Sequence, residues 1–276
     1  MPSESARACL LESTLGLDMT FHLASYATFK TFIGETTAGV AGTEVAVRHT
    51  VASLENDESP DPWAQLAKSH GIRLDHMRSE NVARAASRLQ MVGVYSGFDA
   101  FCRDVRSEWC RLTGTAWKRS DGDGPFEELS RNAPSGLALG AEKTAVEYYR
   151  TCRNAIIHPS EANVSKPDKF FAEHAAKLED IRREWQAVGN AIAPSRFANL
   201  AFCDIKLFAR VTLAVAQQIA MAFDPGNDAL ARSVPVNTWK HIADDGQRRQ
   251  RAIGYLRTEF GLEYARAQVI AVSITG

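Results

Sequence analysis

The feature that most constrains the fold is a stripe of apolar residues with helical spacing, which runs from about residue 74 to residue 112. Apolar side chains recur there every three or four positions, so they share one side of a helix that has about 3.6 residues per turn. The stripe comprises Leu89, Val92, Tyr95, Phe98, Phe101, Cys102, Val105, Trp109 and Leu112. Because such a face must be buried against another element, the stripe predicts a long helix inside a helical bundle.

Three further amphipathic segments follow, separated by stretches that are rich in polar residues, Gly and Pro. Their spacing predicts helices over roughly 137–157, 168–191 and 196–223. Residues 114–140 contain Gly, Pro, Asp and Ser in quick succession, which indicates a loop with one helical turn. Four long helices joined by polar loops predict a mainly α protein, with a helical domain over residues 73–225.

The two ends of the chain have weaker patterns. Residues 1–72 are a segment to which the pattern assigns no fold, although the alternation in GETTAGVAGTEVAVRHTV indicates a strand. Residues 226–276 predict a helical C-terminal extension with two short helices, one near Trp239 and one from about Asp245 to Phe260. The second of these carries a candidate RNA-binding cluster, for which a solvated helix face is the alternative explanation. The cluster consists of Arg248, Arg249 and Arg251.

Composition excludes several classes of protein. Lys and Arg number 32 and Asp and Glu 33, so the chain is not a polycation that coats nucleic acid. The five cysteines are odd in number and form no C-x-x-C pair, which argues against a disulfide scaffold and for a reducing compartment. The chain lacks a secretory signal and a run of about 18 apolar residues, so a cytoplasmic protein without membrane contact is expected. No histidines stand at metal-ligand spacing, and therefore no metal or other cofactor is expected.

The stretch TCRNAIIHPS ends the second predicted helix with an Arg-Asn pair and a His that precedes proline. A residue before proline is displaced from the α region, so the helix should unwind at His158 and let its ring turn toward Arg153 and Asn154. Arginine can hold phosphate oxygens in a forked manner, and histidine can take or return a proton near neutrality. RNA supplies its own nucleophile, the 2′-hydroxyl. The pattern therefore favours metal-free chemistry on phosphodiesters, whereas the alternative is an ordinary helix end with a cationic cap.

The sequence R-N-A-I-I-H resembles the signature of HEPN domains, in which an Arg, a polar residue, a short spacer and a His stand near the end of an inner helix. The upstream stretch VYSGFDAFCRDVRSEW is similar to the first long helix of that family, whose Ser-x-x-acidic pattern is met by Ser96 and Asp99. These two side chains are expected either to contact the Arg153 guanidinium or to be satisfied locally. The resemblance covers roughly residues 75–225 and implies a HEPN-like bundle of four to five helices.

The resemblance also implies a function, that of a metal-independent endoribonuclease acting as an effector in a prokaryotic defence or toxin–antitoxin system. By carry-over, Arg153 grips the scissile phosphate, Asn154 orients the phosphate or the histidine, and His158 acts as general base or acid. The products would be a 2′,3′-cyclic phosphate and a 5′-hydroxyl, and Tyr148 is expected to stack on a base. RNA as substrate, a homodimer with a composite active site and an antitoxin or other defence-system partner are further implications.

Two alternatives stand beside the nuclease. The first is a non-catalytic HEPN module that binds nucleotides, RNA or a protein. In the second, the arginine-rich helix of the C-terminal extension binds nucleic acid, and the bundle serves only for dimerisation.

Overall fold

The computed structural model describes residues 21–54, 57, 59–74, 79–117, 121–185 and 193–275. These residues form a mainly helical structure that contains no strand, so the prediction of a mainly α protein is confirmed. Eleven α-helices lie in this part of the chain, and six of them fall between Ser79 and Ala222, where the resemblance implies four to five. They are α1 Ala24–Leu54, α2 Pro62–Ser69, α3 Ser79–Thr113, α4 Pro125–Asn132, α5 Ala141–Ile157, α6 Glu161–Glu173, α7 Ala175–Trp185, α8 Phe202–Ala222, α9 Asn227–Ser233, α10 Asp245–Phe260 and α11 Tyr264–Thr275.

The strand indicated over residues 34–51 is wrong, because that stretch lies inside α1. The buried apolar residues of α1 include Phe29, Ile33 and Val40, whose separations of four and seven are helical. Three of the four threonines in the stretch donate to carbonyls of the helix itself. For example, the Thr43 hydroxyl donates to the Gly39 carbonyl at 3.0 Å.

The long helix predicted from the apolar stripe is confirmed as α3. Most of the stripe is buried, but Leu89 is 71% exposed and lies outside the core. One acidic residue of α3 is buried as well. Glu108 accepts hydrogen bonds from the backbone N–H groups of Ala24 and Ser25, both at 3.0 Å. It thereby caps the first turn of α1, whose N–H groups have no partner within their own helix.

The helix predicted over 137–157 is confirmed as α5, whereas the one predicted over 168–191 begins earlier and is divided in two. Its first part, α6, starts at Glu161 because the Ser160 side chain accepts a hydrogen bond from the Asn163 N–H at 3.3 Å. Residues 186–191 of the predicted helix lie outside the described residues. Both α6 and α7 pack against α5, and so they frame the helix that carries the Arg-Asn-His sequence.

The C-terminal extension is helical, as predicted, but it contains more than the two expected helices. The helix expected from Asp245 to Phe260 is α10, which begins where Asp244 accepts from the Gln247 N–H at 3.0 Å. A short 3-10 helix, Val236–Trp239, replaces the one expected near Trp239. The final helix α11 was not predicted, and it packs on α9 and α10.

The chain divides into two compact units, and each unit draws on separate stretches of sequence. The first consists of Met1–Phe29, Asp99–Ala138 and Ala216–Gly276, and the second of Lys30–Phe98 and Leu139–Val215. This division is interleaved along the chain. The domain limits expected at residues 72 and 225 stay a prediction. The Arg-Asn-His sequence lies in the second unit.

One helix in the described ranges, α8, is long and apolar enough to cross a membrane. However, 72% of its apolar window is buried inside the protein, as in a core helix. Its composition is therefore only a weak indication of a membrane span.

Candidate functional site

The helix α5 ends at His158, as the His-Pro pair predicts. At His158 the backbone leaves the helix, with φ −122° and ψ 73°, while its N–H still donates to the Asn154 carbonyl at 2.9 Å. The carbonyl of His158 accepts from the Ser160 N–H at 2.7 Å and from the Asn163 side-chain amide at 3.0 Å. The turn is therefore fixed by hydrogen bonds on both sides of Pro159.

Arg153 is half-buried at this end of α5, and an aromatic ring holds it there. Its guanidinium carbon lies 5.6 Å from the ring centroid of Tyr95 on α3, and its Nη1 donates to the Asn154 side-chain oxygen at 3.0 Å. Its Nε is buried without an acceptor, and no carboxylate of the described residues pairs with it. The cation is thus oriented but not neutralised, which is the state that favours capture of an anion.

His158 is exposed, and its ring makes no hydrogen bond to Arg153, Asn154 or any other described residue. The structure therefore brings Arg153 and Asn154 into contact and places His158 at the same helix end without joining it to them. Between them, Ala155 is buried and seats the last turn of α5 in the core.

The three supporting residues predicted from the sequence have different positions. Ser96 is exposed. Asp99 pairs with Arg103 one turn further along α3, so its charge is satisfied locally. Tyr148 is fully buried, and its hydroxyl donates to the carbonyl of Ser195. Its ring therefore presents no face on which a base could stack.

A buried polar network next to Tyr148 was missed by sequence reasoning. Asp204 is fully buried and accepts from the Tyr149 hydroxyl at 3.0 Å, the Ser195 N–H at 2.8 Å and the Ala201 N–H at 3.0 Å. Burial raises the pKa of the Asp204 carboxyl, although these hydrogen bonds oppose the rise. An acidic residue in the first turn of an otherwise apolar helix was the signal in the sequence. Two of its partners, Ser195 and Ala201, are close along the chain, but Tyr149 stands 55 residues before it.

The arginine cluster of α10 is largely engaged within the protein. Arg248 pairs with Asp245, and the Nε of Arg249 donates to the Thr275 hydroxyl at 3.3 Å. Arg251 is exposed. This arrangement agrees better with a solvated helix face than with a phosphate-binding cluster.

The described residues contain no group of three or more His, Cys, Asp or Glu side chains that could hold a metal ion. A cavity of about 580 Å³ lies in the first unit, where its lining includes Arg106, Trp117 and Glu128. No residue of the Arg-Asn-His sequence lines that cavity.

No known protein family, curated protein or solved structure matches this chain in sequence or fold comparisons. The resemblance to HEPN domains therefore depends on the Arg-Asn-His sequence and the helical pattern around it.

Proposed function

We propose that this protein is a metal-independent endoribonuclease of the HEPN type, an effector in a prokaryotic defence or toxin–antitoxin system. One observation carries the proposal. Arg153 is a half-buried cation without an acidic partner among the described residues, held by Tyr95 and Asn154 at the helix end that exposes His158. A histidine and an oriented, uncompensated arginine are the groups that cleavage of a phosphodiester requires.

The reaction follows from these groups and the RNA itself. Arg153 binds the non-bridging oxygens of the scissile phosphate and stabilises the negative charge that grows on them. A His158 imidazole takes the proton from the 2′-hydroxyl, and the 2′ oxygen forms a bond to phosphorus. The bond from phosphorus to the 5′ oxygen breaks, and a protonated imidazole gives that oxygen its proton. The products are a 2′,3′-cyclic phosphate and a 5′-hydroxyl, and neither water nor a metal ion is consumed.

Two imidazoles, one neutral and one protonated, are supplied when two copies of the chain face the same RNA. Such a homodimer with a composite site is part of the proposal. It also accounts for a His158 ring that is exposed rather than hydrogen-bonded to Arg153 of its own chain.

The same observation favours a second candidate function. Because the His158 ring makes no hydrogen bond to Arg153 or Asn154, the site suits capture of a phosphate without cleavage. The second candidate is therefore a non-catalytic module that binds RNA or nucleotides.

Incubation with RNA in excess EDTA tests the proposal. We expect cleavage of unmodified RNA with 2′,3′-cyclic phosphate ends, and no cleavage of the same sequence carrying 2′-O-methyl groups. Equal binding of both RNAs without any cleavage would establish the second candidate. Cleavage that EDTA abolishes, or that leaves 5′-phosphate ends, would contradict the proposed chemistry.

A further inference from the structure

We propose that the second unit carries an additional phosphate-binding position, formed by Arg88 and Arg196, so that one RNA strand is held at this position and at Arg153. The inference rests on the proposed function, because it assigns the same ligand, a single-stranded RNA backbone, to both positions.

Arg88 lies on α3 and resembles Arg153 in its environment. Its guanidinium carbon is 5.0 Å from the ring centroid of Phe197, and its Nε is buried without an acceptor. Phe197 is only 8% exposed, so the ring is a fixed support. No carboxylate of the described residues pairs with Arg88.

Arg196 precedes Phe197 in the chain and is exposed. Its guanidinium carbon lies 5.9 Å from the ring centroid of Phe171 on α6, and it too has no carboxylate partner in the described part of the chain. Residues 196 and 197 are consecutive, so this short segment supplies one guanidinium group by its own side chain and the ring that supports the other.

Other arginines of this unit do have acidic partners. Arg48, Arg182 and Arg183 each pair with a carboxylate on their own helix, at 2.7 Å in every case. An arginine that stacks on a ring uses the face of its guanidinium and keeps the N–H edge for an anion. Arg88, Arg153 and Arg196 all lie over an aromatic ring instead of pairing with a carboxylate of the described residues. The N–H edge of a guanidinium can donate two hydrogen bonds to phosphate oxygens.

The geometry of α3 separates the two positions. Arg88 and Tyr95 are seven residues apart, almost two turns, so they lie on one face about 10 Å apart along the helix axis. Arg153 stacks on Tyr95, and Arg88 begins the other position. The two positions are therefore assigned to different phosphates of an extended strand.

Packed aromatic rings fix the two positions relative to each other. Successive ring centroids lie 6.4, 4.8, 5.1 and 5.4 Å apart along a continuous chain of rings that starts under Arg153 and ends under Arg196. The chain runs through Tyr95, Phe208, Tyr149, Tyr148 and Phe171. The binding surface is thus preorganised, which reduces the entropy cost of holding a strand.

Binding of a non-cleavable RNA tests the inference independently of catalysis. The probe is a labelled 2′-O-methyl oligonucleotide of about ten nucleotides, within the usual site sizes for single strands. We expect the Arg88→Ala/Arg196→Ala double variant to bind about tenfold more weakly than wild type. The slope of log affinity against log salt should fall by about 1.4, because each lost phosphate contact on a single strand contributes about 0.7.

The matched control is Arg48→Ala/Arg183→Ala, which removes the same charge from the same unit but takes it from ion-paired arginines. It should bind the oligonucleotide as wild type does. The Arg88→Lys/Arg196→Lys variant retains the charge without the planar fork, and it should recover part of the affinity. The circular dichroism spectrum of each variant must match that of wild type. If Arg88→Ala/Arg196→Ala unfolds, the affinity of Arg88→Lys/Arg196→Lys is compared with that of wild type instead.

Two results would overturn the inference. One is a double variant with wild-type affinity and an unchanged salt slope. The other is binding of polyglutamate but not of the oligonucleotide, which would assign the surface to an acidic protein. If the double variant loses affinity while wild type never cuts RNA, the cleavage proposal fails and the binding position stands. If wild type cuts RNA and the double variant keeps full affinity, the cleavage proposal stands and the additional binding position fails.

Discussion

At the scale of single residues, the arginine proposed to bind the scissile phosphate is positioned by an aromatic ring. A carboxylate in place of Tyr95 would hold Arg153 equally well, but it would compete with the phosphate for the same N–H groups. The ring attracts the guanidinium without taking up its N–H donors as a carboxylate would. Support of this kind therefore combines order with availability for an anion.

This support predicts a specific effect of Tyr95 on the reaction. We expect Tyr95→Leu to lower kcat/KM for RNA about tenfold, since loss of a partly buried cation–π contact costs roughly 1–2 kcal/mol. Tyr95→Phe keeps the ring and should retain most of the activity. Because Tyr95 is largely buried, the free energy of unfolding is measured for both variants. Equal activity of the two variants would contradict the positioning role.

A second residue-scale prediction concerns the buried carboxyl of Asp204. Burial raises its pKa in the folded state. At a pH between the ordinary aspartate pKa and this raised value, the carboxyl is protonated in the folded protein and ionised in the unfolded chain. The contribution of Asp204 to the free energy of unfolding therefore falls as the pH rises through that window, and it is recovered as the pH is lowered. Asp204→Asn cannot titrate. We expect the free energy of unfolding of wild type, relative to this variant, to increase on acidification.

Urea unfolding of both proteins across the acidic to neutral range provides the measurement. Since the other titrating groups are common to both, their contributions cancel in the difference. A difference that is constant with pH, or that rises with pH, would show that burial does not dominate the pKa of Asp204.

At the scale of helices, the sequence predicts elements with one strong apolar face and fails where packing decides. The stripe of α3 and the C-terminal end of α5 were predictable, because periodicity and the His-Pro pair act locally. The continuous helix α1 was not predictable from its alternating stretch, since its burial depends on contacts with distant residues such as Glu108. The same limit applies to α11, whose support comes from α9 and α10.

The contact between α1 and α3 gives a prediction at this scale. A methyl group added at Gly97 on α3 would lie 2.0 Å from the nearest ring carbon of Phe32 on α1. We expect Gly97→Ala to destabilise the protein by about 1–2 kcal/mol, because the ring must move away from its position. The free energy of urea unfolding measures the cost.

The control lies one turn earlier on the same helix. Gly93 has no atom within 4 Å of an added methyl group, so Gly93→Ala should be neutral or stabilise by up to about 1 kcal/mol through helix propensity. In a Phe32→Ala background the cost of Gly97→Ala should shrink. Equal effects of the two glycine substitutions in wild type would rule out a tight helix contact at Gly97.

At the scale of the whole molecule, the proposed reaction needs an acid and a base, and each chain supplies one His158. We therefore predict a homodimer in solution, which light scattering will detect as a mass twice that of the chain. We also expect expression of wild type to slow bacterial growth and expression of Arg153→Ala to leave it unaffected. A monomer that cleaves RNA at a rate proportional to its concentration would contradict the composite site.

The candidate site was only partly predictable from the sequence. Arg153, Asn154 and His158 are neighbours along the chain, and so their spacing carries the chemistry directly. Tyr95, Arg88 and Arg196 come from α3 and from the segment before α8, and only the packing of α3, α5 and α6 brings their charges and rings together. Local patterns in a sequence do not encode contacts of this kind.

The most direct test of the central claim is the single-turnover rate of RNA cleavage in EDTA for wild type and four variants. Arg153→Ala and His158→Ala remove the proposed groups, while Arg183→Ala and His49→Ala remove an ion-paired arginine and an exposed histidine elsewhere in the second unit. We predict that the first two lose cleavage by at least about a hundredfold and that the two controls retain the wild-type rate. Cleavage by His158→Ala at the wild-type rate would contradict the assignment of this site.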